Sequence, residues 1–363
     1  MTTPLISSPF SAEPGRHSSA LVRSRAPLRI SFAGGGTDLL PYVTDRGGRV
    51  LSATINKFAY ATLRVGGSPV IQVHSLDYDA IERYDLDQPL IYDGQLDLVK
   101  ACLRHIQDAA LAAQLGLDLY LETDVPPGSG LGSSSALVVA LLSALATWRR
   151  ISIDKYGLAR LAYQVERVDV GIAGGLQDQF AAAFGGFNLI EFHSVEDVVV
   201  NPLRIDARTI NELEYNMLLV FTGATRLATN IIQSQVGSYV QRLPAAVEAL
   251  DAMKELAAAA KDALLTGRLR LFADILHQDW IAKKATSPHV TTNAIEELYE
   301  EALRLGVLGG KVSGAGGGGF MFLYCPFDRK PTVSARMAAM GAEVLPVAFH
   351  PSGVETWTWE PGQ

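Results

Sequence analysis

The chain has 363 residues, of which 48% are hydrophobic and 19% are charged. That is enough apolar material for a full core and, by length, it predicts two domains rather than one. A formal net charge of -7 argues against a surface that coats nucleic acid, since such surfaces carry a basic excess. Cys102 and Cys325 match neither a disulfide framework nor a metal-ligand spacing, which favours a reducing cytoplasm and small-molecule partners.

The first residues predict a flexible leader, from Met1 to about Arg23. This segment, MTTPLISSPFSAEPGRHSSALVR, is rich in Ser and Pro and lacks the continuous apolar region of a signal peptide. The longest apolar stretch, Ala136 to Trp148, is too short to span a bilayer. We therefore expect neither export nor a membrane partner.

Strands and one helix are predicted in the first half of the chain. Alternating apolar and polar residues, with many β-branched and aromatic types, predict strands over 27–35 and 48–65. A further strand pair, over 69–76 and 117–124, brackets a helical pattern over 96–115. The first half is therefore expected to be of the α+β class.

A helix and two strands follow in the middle of the chain. Apolar residues at helical spacing predict a helix over 152–168, for which Asp154 is a suitable N-cap. The segments FNLIEF (187–192) and NMLLVFTG (216–223) are apolar enough to be strands.

The remainder is mostly helical. Ala, Leu, Glu and Lys dominate 228–305, and a glycine-rich turn over 309–319 then leads into an apolar strand. An alanine-rich face between Ala245 and Leu276 fits either a homodimer interface or a packed core helix. The change from strands to helices near Pro202 predicts a domain boundary. The expected divisions are a leader over 1–23, an N-terminal domain over 24–201 and a C-terminal domain over 202–363.

One short stretch, PPGSGLGSSSALVVALL (Pro126 to Leu142), joins glycines and three serines to an apolar helical run. The first turn of a helix leaves N–H groups unpaired and carries partial positive charge, so a glycine loop leading into it is able to wrap a phosphate. The alternative is a tight turn with serine N-caps and no ligand. The stretch by itself leaves both open.

Spacing excludes three known loops at this position. No Lys follows the glycines, so the stretch is not a G-x-x-x-x-G-K-[ST] loop. GSGLGS fails the G-x-G-x-x-G dinucleotide pattern because its third glycine comes one residue early. The G-x-S-x-G elbow of serine hydrolases is absent as well.

Three motifs in order resemble the GHMP kinases, named for galactokinase, homoserine kinase, mevalonate kinase and phosphomevalonate kinase. PPGSGLGSSSA is similar to the family signature P-x-x-x-G-L-G-S-S-A, and APLRISFAGGGTDLLPY and KVSGAGGGGFMFLY are similar to the first and last family motifs. Together they span Ala26 to Tyr324. The resemblance implies an α+β phosphotransferase with an N-terminal domain like ribosomal protein S5 domain 2 and a ferredoxin-like C-terminal domain, with the active site between them.

The resemblance also implies a nucleotide site on the glycine loop. ATP is the expected phosphate donor, and Mg²⁺ is expected on Ser134 and Glu166. By themselves, Ser134 is equally well a helix cap and Glu166, beside Arg167, a solvated charge. The residues implied to bind ATP are Pro127, Gly128, Ser129, Gly130, Leu131, Gly132, Ser133 and Ser134.

Asp178 and Arg29 are implied to act at the acceptor hydroxyl. Asp178 matches an aspartate of the family near this hydroxyl, and Arg29 matches a galactokinase arginine beside the γ-phosphate. The sequence leaves open whether Asp178 takes the proton or orients the hydroxyl. Without the resemblance, Asp178 is equally well a helix cap, and Arg29 a strand residue that points to solvent.

The acceptor loop differs from that of the galactokinases. They carry Glu and His after its first glycine, whereas this chain has Gly35 and Gly36 before Thr37 and Asp38. Loss of the carboxylate would remove repulsion against an anionic acceptor. Asp38 suits sugar hydroxyls or an Asx-turn. The motifs are similar to those of a bacterial subfamily that phosphorylates the anomeric oxygen of a heptose 7-phosphate, on the way to GDP-heptose for surface polysaccharides.

A phosphate on the acceptor requires cations, and Lys311, beside the last glycine motif, is the first candidate. A solvated surface lysine is an equal alternative. The other available cations are Arg226, Lys283, Lys284, Arg46 and Arg49. The residues expected to bind the acceptor are Gly35, Gly36, Thr37, Asp38, Gly174, Gly175, Lys311, Gly316 and Gly317.

Alternative functions stay open at this point. One is a GHMP kinase for an unphosphorylated sugar such as fucose or galactose, and another is a decarboxylase or isomerase on the same fold. A third is a non-catalytic regulator that binds a phosphometabolite. The joint presence of Ser134, Glu166 and Asp178 disfavours the regulator, because a pure binder needs no metal-and-base constellation.

Overall fold

Two sheets and the helices that cover them form the protein, as seen in a computed structural model. The structure describes residues 21–66, 70–77, 79–84, 89–105, 116–224 and 228–360. The α+β class predicted from the sequence is confirmed.

The first sheet has eight strands within these residues, in the order β12-β1-β2-β5-β3-β4, with β6 and β7 beside the first part of β2. All neighbours are antiparallel except β3 and β5. The strands are β1 (Leu21–Ala33), β2 (Gly48–Val65), β3 (Ile71–Ser75), β4 (Ala80–Tyr84), β5 (Leu117–Thr123), β6 (Phe187–Phe192), β7 (Val198–Pro202) and β12 (Glu355–Trp359).

Five helices accompany the first sheet in the described part of the chain. They are α1 (Tyr42–Arg46), α2 (Asp97–His105), α3 (Ser133–Arg149), α4 (Lys155–Tyr163) and α5 (Gln177–Phe184). The apolar helix α3 packs against β1 and β2. Asp154 caps α4 as predicted, with its carboxylate accepting from the Gly157 N–H at 2.6 Å. A π-helical turn, Gln164–Asp169, continues α4.

The second sheet is antiparallel, in the order β11-β8-β10-β9. Its strands are β8 (Met217–Phe221), β9 (Gly309–Val312), β10 (Phe320–Tyr324) and β11 (Glu343–Leu345). The later helices are α6 (Ala207–Asn216), α7 (Ala228–Val240), α8 (Pro244–Leu265), α9 (Leu269–Thr286), α10 (Asn293–Arg304) and α11 (Lys330–Ala339). None of the helices in the described ranges is long and apolar enough to cross a membrane.

One predicted boundary needs correction. Leu21 to Arg23, assigned to the leader, belong to β1 and pair with β2 and β12. Residues 1–20 lie outside the described residues, as does the 106–115 part of the predicted helix over 96–115. The alanine-rich stretch 245–276 is divided between two helices, because α8 ends at Leu265 and α9 begins at Leu269.

The alanine-rich face of α8 lies inside the protein. Its buried alanines are Ala246, Ala249, Ala257, Ala260 and Ala263. These side chains are core residues and are not available for a dimer interface.

The last strand returns to the first sheet, where β12 pairs with β1. We retain a division near Pro202 as a proposal, with this final strand added to the N-terminal unit. One aromatic cluster joins the two sheets. The Phe32 ring of β1 lies 5.2 Å from the Phe272 ring of α9 and 5.5 Å from the Phe322 ring of β10, measured between ring centroids.

A close backbone approach fixes α9 on the second sheet. A side chain added at Gly309 in β9 would place its Cβ 2.0 Å from the Ala273 carbonyl oxygen of α9. Only glycine therefore allows α9 to lie at this distance from β9.

We expect Gly309→Ala to lower the free energy of unfolding by about 1–3 kcal/mol, because the helix must move away from the strand. Gly237→Ala in α7 is the matched control, since its Cβ would meet nothing within 4 Å, and helix propensity predicts a neutral or slightly stabilising effect. Urea unfolding of both variants measures the difference, and equal midpoints would contradict this account.

Candidate active site

A cavity of about 740 Å³ is lined by residues of the first sheet, of several helices and of the loop before β10. Its walls come from the glycine loop 127–134, the first motif, the segment 170–178 and the N-terminal half of α7. Lys283 of α9 and glycines of the last motif form a further part of the wall, and residues of β3, β4, β5 and the start of α2 line the rest. The three motifs found in the sequence are thus brought to one cavity.

The glycine loop delivers the start of α3 to this cavity. Gly128, Gly130 and Gly132 have φ between 75° and 79°, a region that only glycine adopts easily. Gly132 is the N-cap and makes no side-chain cap hydrogen bond, so the serine N-cap alternative is wrong. The first-turn N–H groups of α3 are left as an anion site beside the lining residues Ser133 and Ser134.

Some of the residues predicted to bind ATP support the glycine loop from behind and do not line the cavity. Pro127, Gly128, Gly130 and Gly132 line the cavity with the two serines. Ser129 and Leu131 are fully buried. Their carbonyl oxygens accept from the backbone N–H groups of Phe320 and Arg29, each at 3.0 Å, so they hold the loop in place.

The two glycine-rich segments touch backbone to backbone. A Cβ on Gly130 would lie 2.6 Å from the Ser313 carbonyl oxygen, and one on Gly314 would lie 2.7 Å from that of Gly130. A Cβ on Gly319 would come within 2.2 Å of the Ser129 carbonyl oxygen. The second glycine run thus supports the first.

Gly316 and Gly317, predicted to bind the acceptor, differ in position. Gly316 lines the cavity, whereas Gly317 is not among its lining residues. The Gly317 N–H donates to the Val290 carbonyl at 2.7 Å, and a Cβ on Gly316 would meet that same oxygen at 2.3 Å. Both therefore seat the motif against the chain after α9.

Arg29 and Asp178 form an ion pair at the cavity wall. Two guanidinium nitrogens of Arg29 each lie 2.7 Å from Asp178 Oδ1. Another, Nη1, donates to the Gly130 carbonyl at 2.7 Å. Arg29 is only 3% exposed, so it does not point to solvent. Asp178 makes no cap bond to α5, so both alternatives to the catalytic interpretation are wrong.

Glu166 is the centre of a buried polar cluster. Its carboxylate accepts from the hydroxyl of Ser134 at 2.9 Å, from that of Ser135 at 2.5 Å and from Gln179 Nε2 at 2.5 Å. Arg167 lies 3.7 Å away. Glu166 is fully buried and is therefore not a solvated charge. The π-helical turn carries it, and such turns are frequent at functional sites.

This cluster fits a magnesium ion. Ser134 lines the cavity and Glu166 lies directly behind its hydroxyl. Mg²⁺ usually keeps several waters and takes one or two carboxylates with substrate phosphates. The described residues contain no group of three or more His, Cys, Asp or Glu that would hold a metal, and a magnesium site of this kind does not need one.

Asp38 joins the first motif to the segment before α5. Its Oδ1 accepts from the Gly36 N–H and from Gln177 Nε2, both at 3.0 Å, and its Oδ2 accepts from the Gln177 N–H at 3.2 Å. The Gly36 donor precedes Asp38, so this is not an Asx-turn. Asp38, Gly36 and Gln177 all line the cavity.

The predicted Gly174 and Gly175 also line the cavity. A Cβ on Gly175 would lie 1.9 Å from Asp38 Oδ2, and one on Gly174 would lie 2.2 Å from the Arg167 guanidinium carbon. Glycine at both positions lets these two charged side chains fit beneath the segment.

Gly35 and Thr37 shape the first motif from behind. Neither is among the lining residues. The Thr37 hydroxyl lies 2.8 Å from the Gly34 carbonyl oxygen and accepts from the Arg49 N–H at 3.0 Å. The Gly35 carbonyl accepts from Lys283 Nζ at 3.0 Å.

The prediction that Lys311 faces the acceptor is wrong. Its ammonium pairs with Asp279 of α9, both groups are buried, and Lys311 does not line the cavity. Asp279 in turn accepts from the Gly34 N–H at 2.9 Å. Lys311 therefore braces the first motif through Asp279 and does not face a ligand.

The other candidate cations, apart from Lys283, are not placed to bind an acceptor in the described part of the chain. Arg46, Arg49 and Lys284 pair with Asp251, Glu191 and Glu296 and do not line the cavity. Arg226 lies outside the described residues.

Lys283 is the one lysine that lines the cavity within the described residues. It is 3% exposed. Burial, and then the nearby Lys311 ammonium, lower the pKa of Lys283 to about 7.

Four residues at the site were missed at the sequence level. Ser135 and Gln179 complete the donors to Glu166, Gln177 bonds Asp38, and Asp279 pairs with Lys311. The third serine of the signature and the polar QDQ around Asp178 were the available signals.

Comparisons with known proteins identify the family of the chain. The chain matches the family models for the GHMP kinases N terminal domain over residues 97–186 and for GHMP kinases C terminal over 252–343. It is 38% identical to the D-glycero-alpha-D-manno-heptose 7-phosphate kinase of Campylobacter jejuni, over 93% of this chain and 98% of that protein.

Solved structures have the same fold. A D-glycero-D-manno-heptose 1-phosphate kinase from Bacteroides thetaiotaomicron superimposes with a TM-score of 0.77 at 36% identity, covering 93% of this chain and 98% of that one. Lactococcus lactis galactokinase complexed with galactose gives a TM-score of 0.71 at 19% identity, over 94% and 95% of the two chains, a likeness of fold alone. With these matches over most of its length, the chain belongs to the GHMP kinases.

Proposed function

We propose that this GHMP kinase transfers the γ-phosphoryl group of ATP to the anomeric hydroxyl of D-glycero-D-manno-heptose 7-phosphate, giving heptose 1,7-bisphosphate and ADP in the cytoplasm. One observation carries the proposal. The Arg29 guanidinium bonds both the Gly130 carbonyl of the glycine loop and the Asp178 carboxylate, so one side chain connects the donor loop with the acceptor group. The C. jejuni relative, named for this activity, supports the choice of acceptor.

The donor half of the reaction uses the glycine loop. The free N–H groups at the start of α3 bind ATP phosphates, as helix N-termini do for anions. Ser134 and Glu166 hold Mg²⁺. When bound, the ion neutralises charge on the phosphates of a loose transition state. Arg29 contributes a fixed positive charge beside them, with no reorganisation at the moment of transfer.

The acceptor half is organised around Asp178 and Asp38. Asp178 accepts a hydrogen bond from the anomeric hydroxyl and takes its proton as the oxygen bonds to phosphorus and the bond to ADP breaks. Arg29 fixes the orientation of this carboxylate. Asp38, held by Gly36 and Gln177, accepts from ring hydroxyls. Gly36 adds no side chain and no further negative charge to this part of the cavity wall.

Release of ADP from a panel of acceptors tests the function. With ATP and Mg²⁺, we expect turnover of heptose 7-phosphate in preference to mannose 6-phosphate, unphosphorylated heptose, fucose, galactose and mevalonate. Turnover of only an unphosphorylated sugar would reject this acceptor, and no turnover of any would favour a binding protein.

Asp178→Asn should lower kcat by about 10²–10⁴-fold while the fold stays intact, because a positioned base is removed. Asp118→Asn is the control, since Asp118 also pairs with an arginine, Arg64 at 2.5 Å, but on the surface, where such pairs contribute little. Steady-state kinetics and circular dichroism compare the two. Near-normal turnover in the first variant would exclude Asp178 from catalysis.

Glu166→Gln should raise the Mg²⁺ concentration needed for half-maximal activity by about 10- to 100-fold. ATP binding measured without Mg²⁺ should change little, because the glycine loop binds the phosphates. The exposed Glu297→Gln is the control. An unchanged Mg²⁺ requirement, with the protein folded, would remove Glu166 from the metal site.

A further inference from the structure

Lys283 occupies an unusual position for a lysine. It is 3% exposed, and its ammonium donates to the Gly35 carbonyl at 3.0 Å. An ammonium group has three donors. Unlike Lys311, whose ammonium pairs with Asp279, Lys283 faces the cavity with donors to spare.

Two further polar groups lie near Lys283. The position that a Cβ on Gly35 would take is 3.8 Å from Lys283 Nζ, 3.6 Å from Gln177 Nε2 and 2.8 Å from Ser31 Oγ. Ser31 Oγ and Gln177 Oε1 are buried and have no hydrogen-bond partner among the described residues. Of these two atoms only the Ser31 hydroxyl is able to donate to an anion, because Gln177 Oε1 is an acceptor. Gln177 Nε2 carries two hydrogens, of which one is used in the hydrogen bond to Asp38.

We propose that Lys283, with Gln177 beside it, forms the subsite for the phosphate that the acceptor already carries. This assignment rests on the proposed function and extends it to a residue that determines acceptor specificity. A charge-assisted hydrogen bond from the ammonium to the phosphate uses the spare donors and compensates the buried charge.

The location favours the acceptor over ATP. Lys283 bonds the first motif at Gly35, whereas Ser134 lies at the glycine loop and donates to Glu166. Gln177 and Asp178 are consecutive, and their side chains contact different groups. Gln177 bonds Asp38 and Asp178 bonds Arg29, so an acceptor with its hydroxyl at Asp178 has its remaining length along Gln177 toward Lys283.

The test compares K283M with K284M. Lys284 is adjacent in sequence but pairs with Glu296 at 2.7 Å outside the cavity. We expect K283M to lower kcat/KM for heptose 7-phosphate by about 10- to 100-fold. The loss of kcat/KM for unphosphorylated heptose should be much smaller, and the KM for ATP should change little. K284M should leave the ratio between the two acceptors unchanged.

Equal losses for both heptoses in K283M would overturn the proposal and assign Lys283 to the reacting phosphate or to structure. Failure of the proposed function gives a different result from failure of the subsite. In that case the unmodified protein would not use heptose 7-phosphate at all, and the subsite would be rejected together with the function.

A second measurement follows proton uptake on binding. The charged groups around Lys283 are Lys311, Asp279, Asp38 and Arg29. A bound phosphate raises the pKa of this lysine from about 7, so binding of heptose 7-phosphate at pH 8 should take up protons. Calorimetry in two buffers of different ionisation enthalpy measures this uptake. Uptake that remains in K283M, or that is equal with unphosphorylated heptose, would overturn the proposal.

Discussion

Direct contact between two backbones is the constraint on which the rest of the site depends. The loop before α3 and the loop before β10 meet at Gly130 and Gly314, where neither has space for a Cβ atom. Because no side chain separates them, the hydrogen bond from the Phe320 N–H to the Ser129 carbonyl forms, and the start of α3 is fixed against the second sheet. The glycines of the last motif are therefore needed for this contact as much as for any ligand.

A charged pair with a buried cation lies on each side of this contact. Arg29 of β1 connects the loop with Asp178, and Lys311 of β9 holds the first motif through Asp279. Burying a paired charge is costly unless the geometry is good, and removing one partner costs more than the pair contributes. Such pairs fix the positions of neighbouring groups more than they stabilise the fold. Lys283 differs, because its partner inside the protein is a neutral carbonyl.

Local features were predictable from the sequence, and long-range ones only through the family resemblance. The glycine loop, helix α3 and the Asp154 cap follow from propensity and capping chemistry over a few residues. The expectation that Lys311 faces the ligand was wrong because closeness to a motif in sequence does not determine which way a strand residue faces. That direction depends on α9, which lies against β9 through Gly309. Ser135 and Gln179 were missed because their partner, Glu166, is distant in sequence and no local pattern marks the pairing.

The pairing of β12 with β1 makes completion of the first sheet wait for the synthesis of β12. Arg25 and Glu355 are 330 residues apart in the chain, yet they are opposite each other in neighbouring strands. Until the ribosome has made Glu355–Trp359, the outer edge of β1 has no partner, and an open edge is a template for aggregation. Arg23 and Arg25 place positive charges on that edge, a common protection of unpaired strands. The second sheet is complete earlier, so the strand that carries Arg29 is among the last to gain its full set of neighbours.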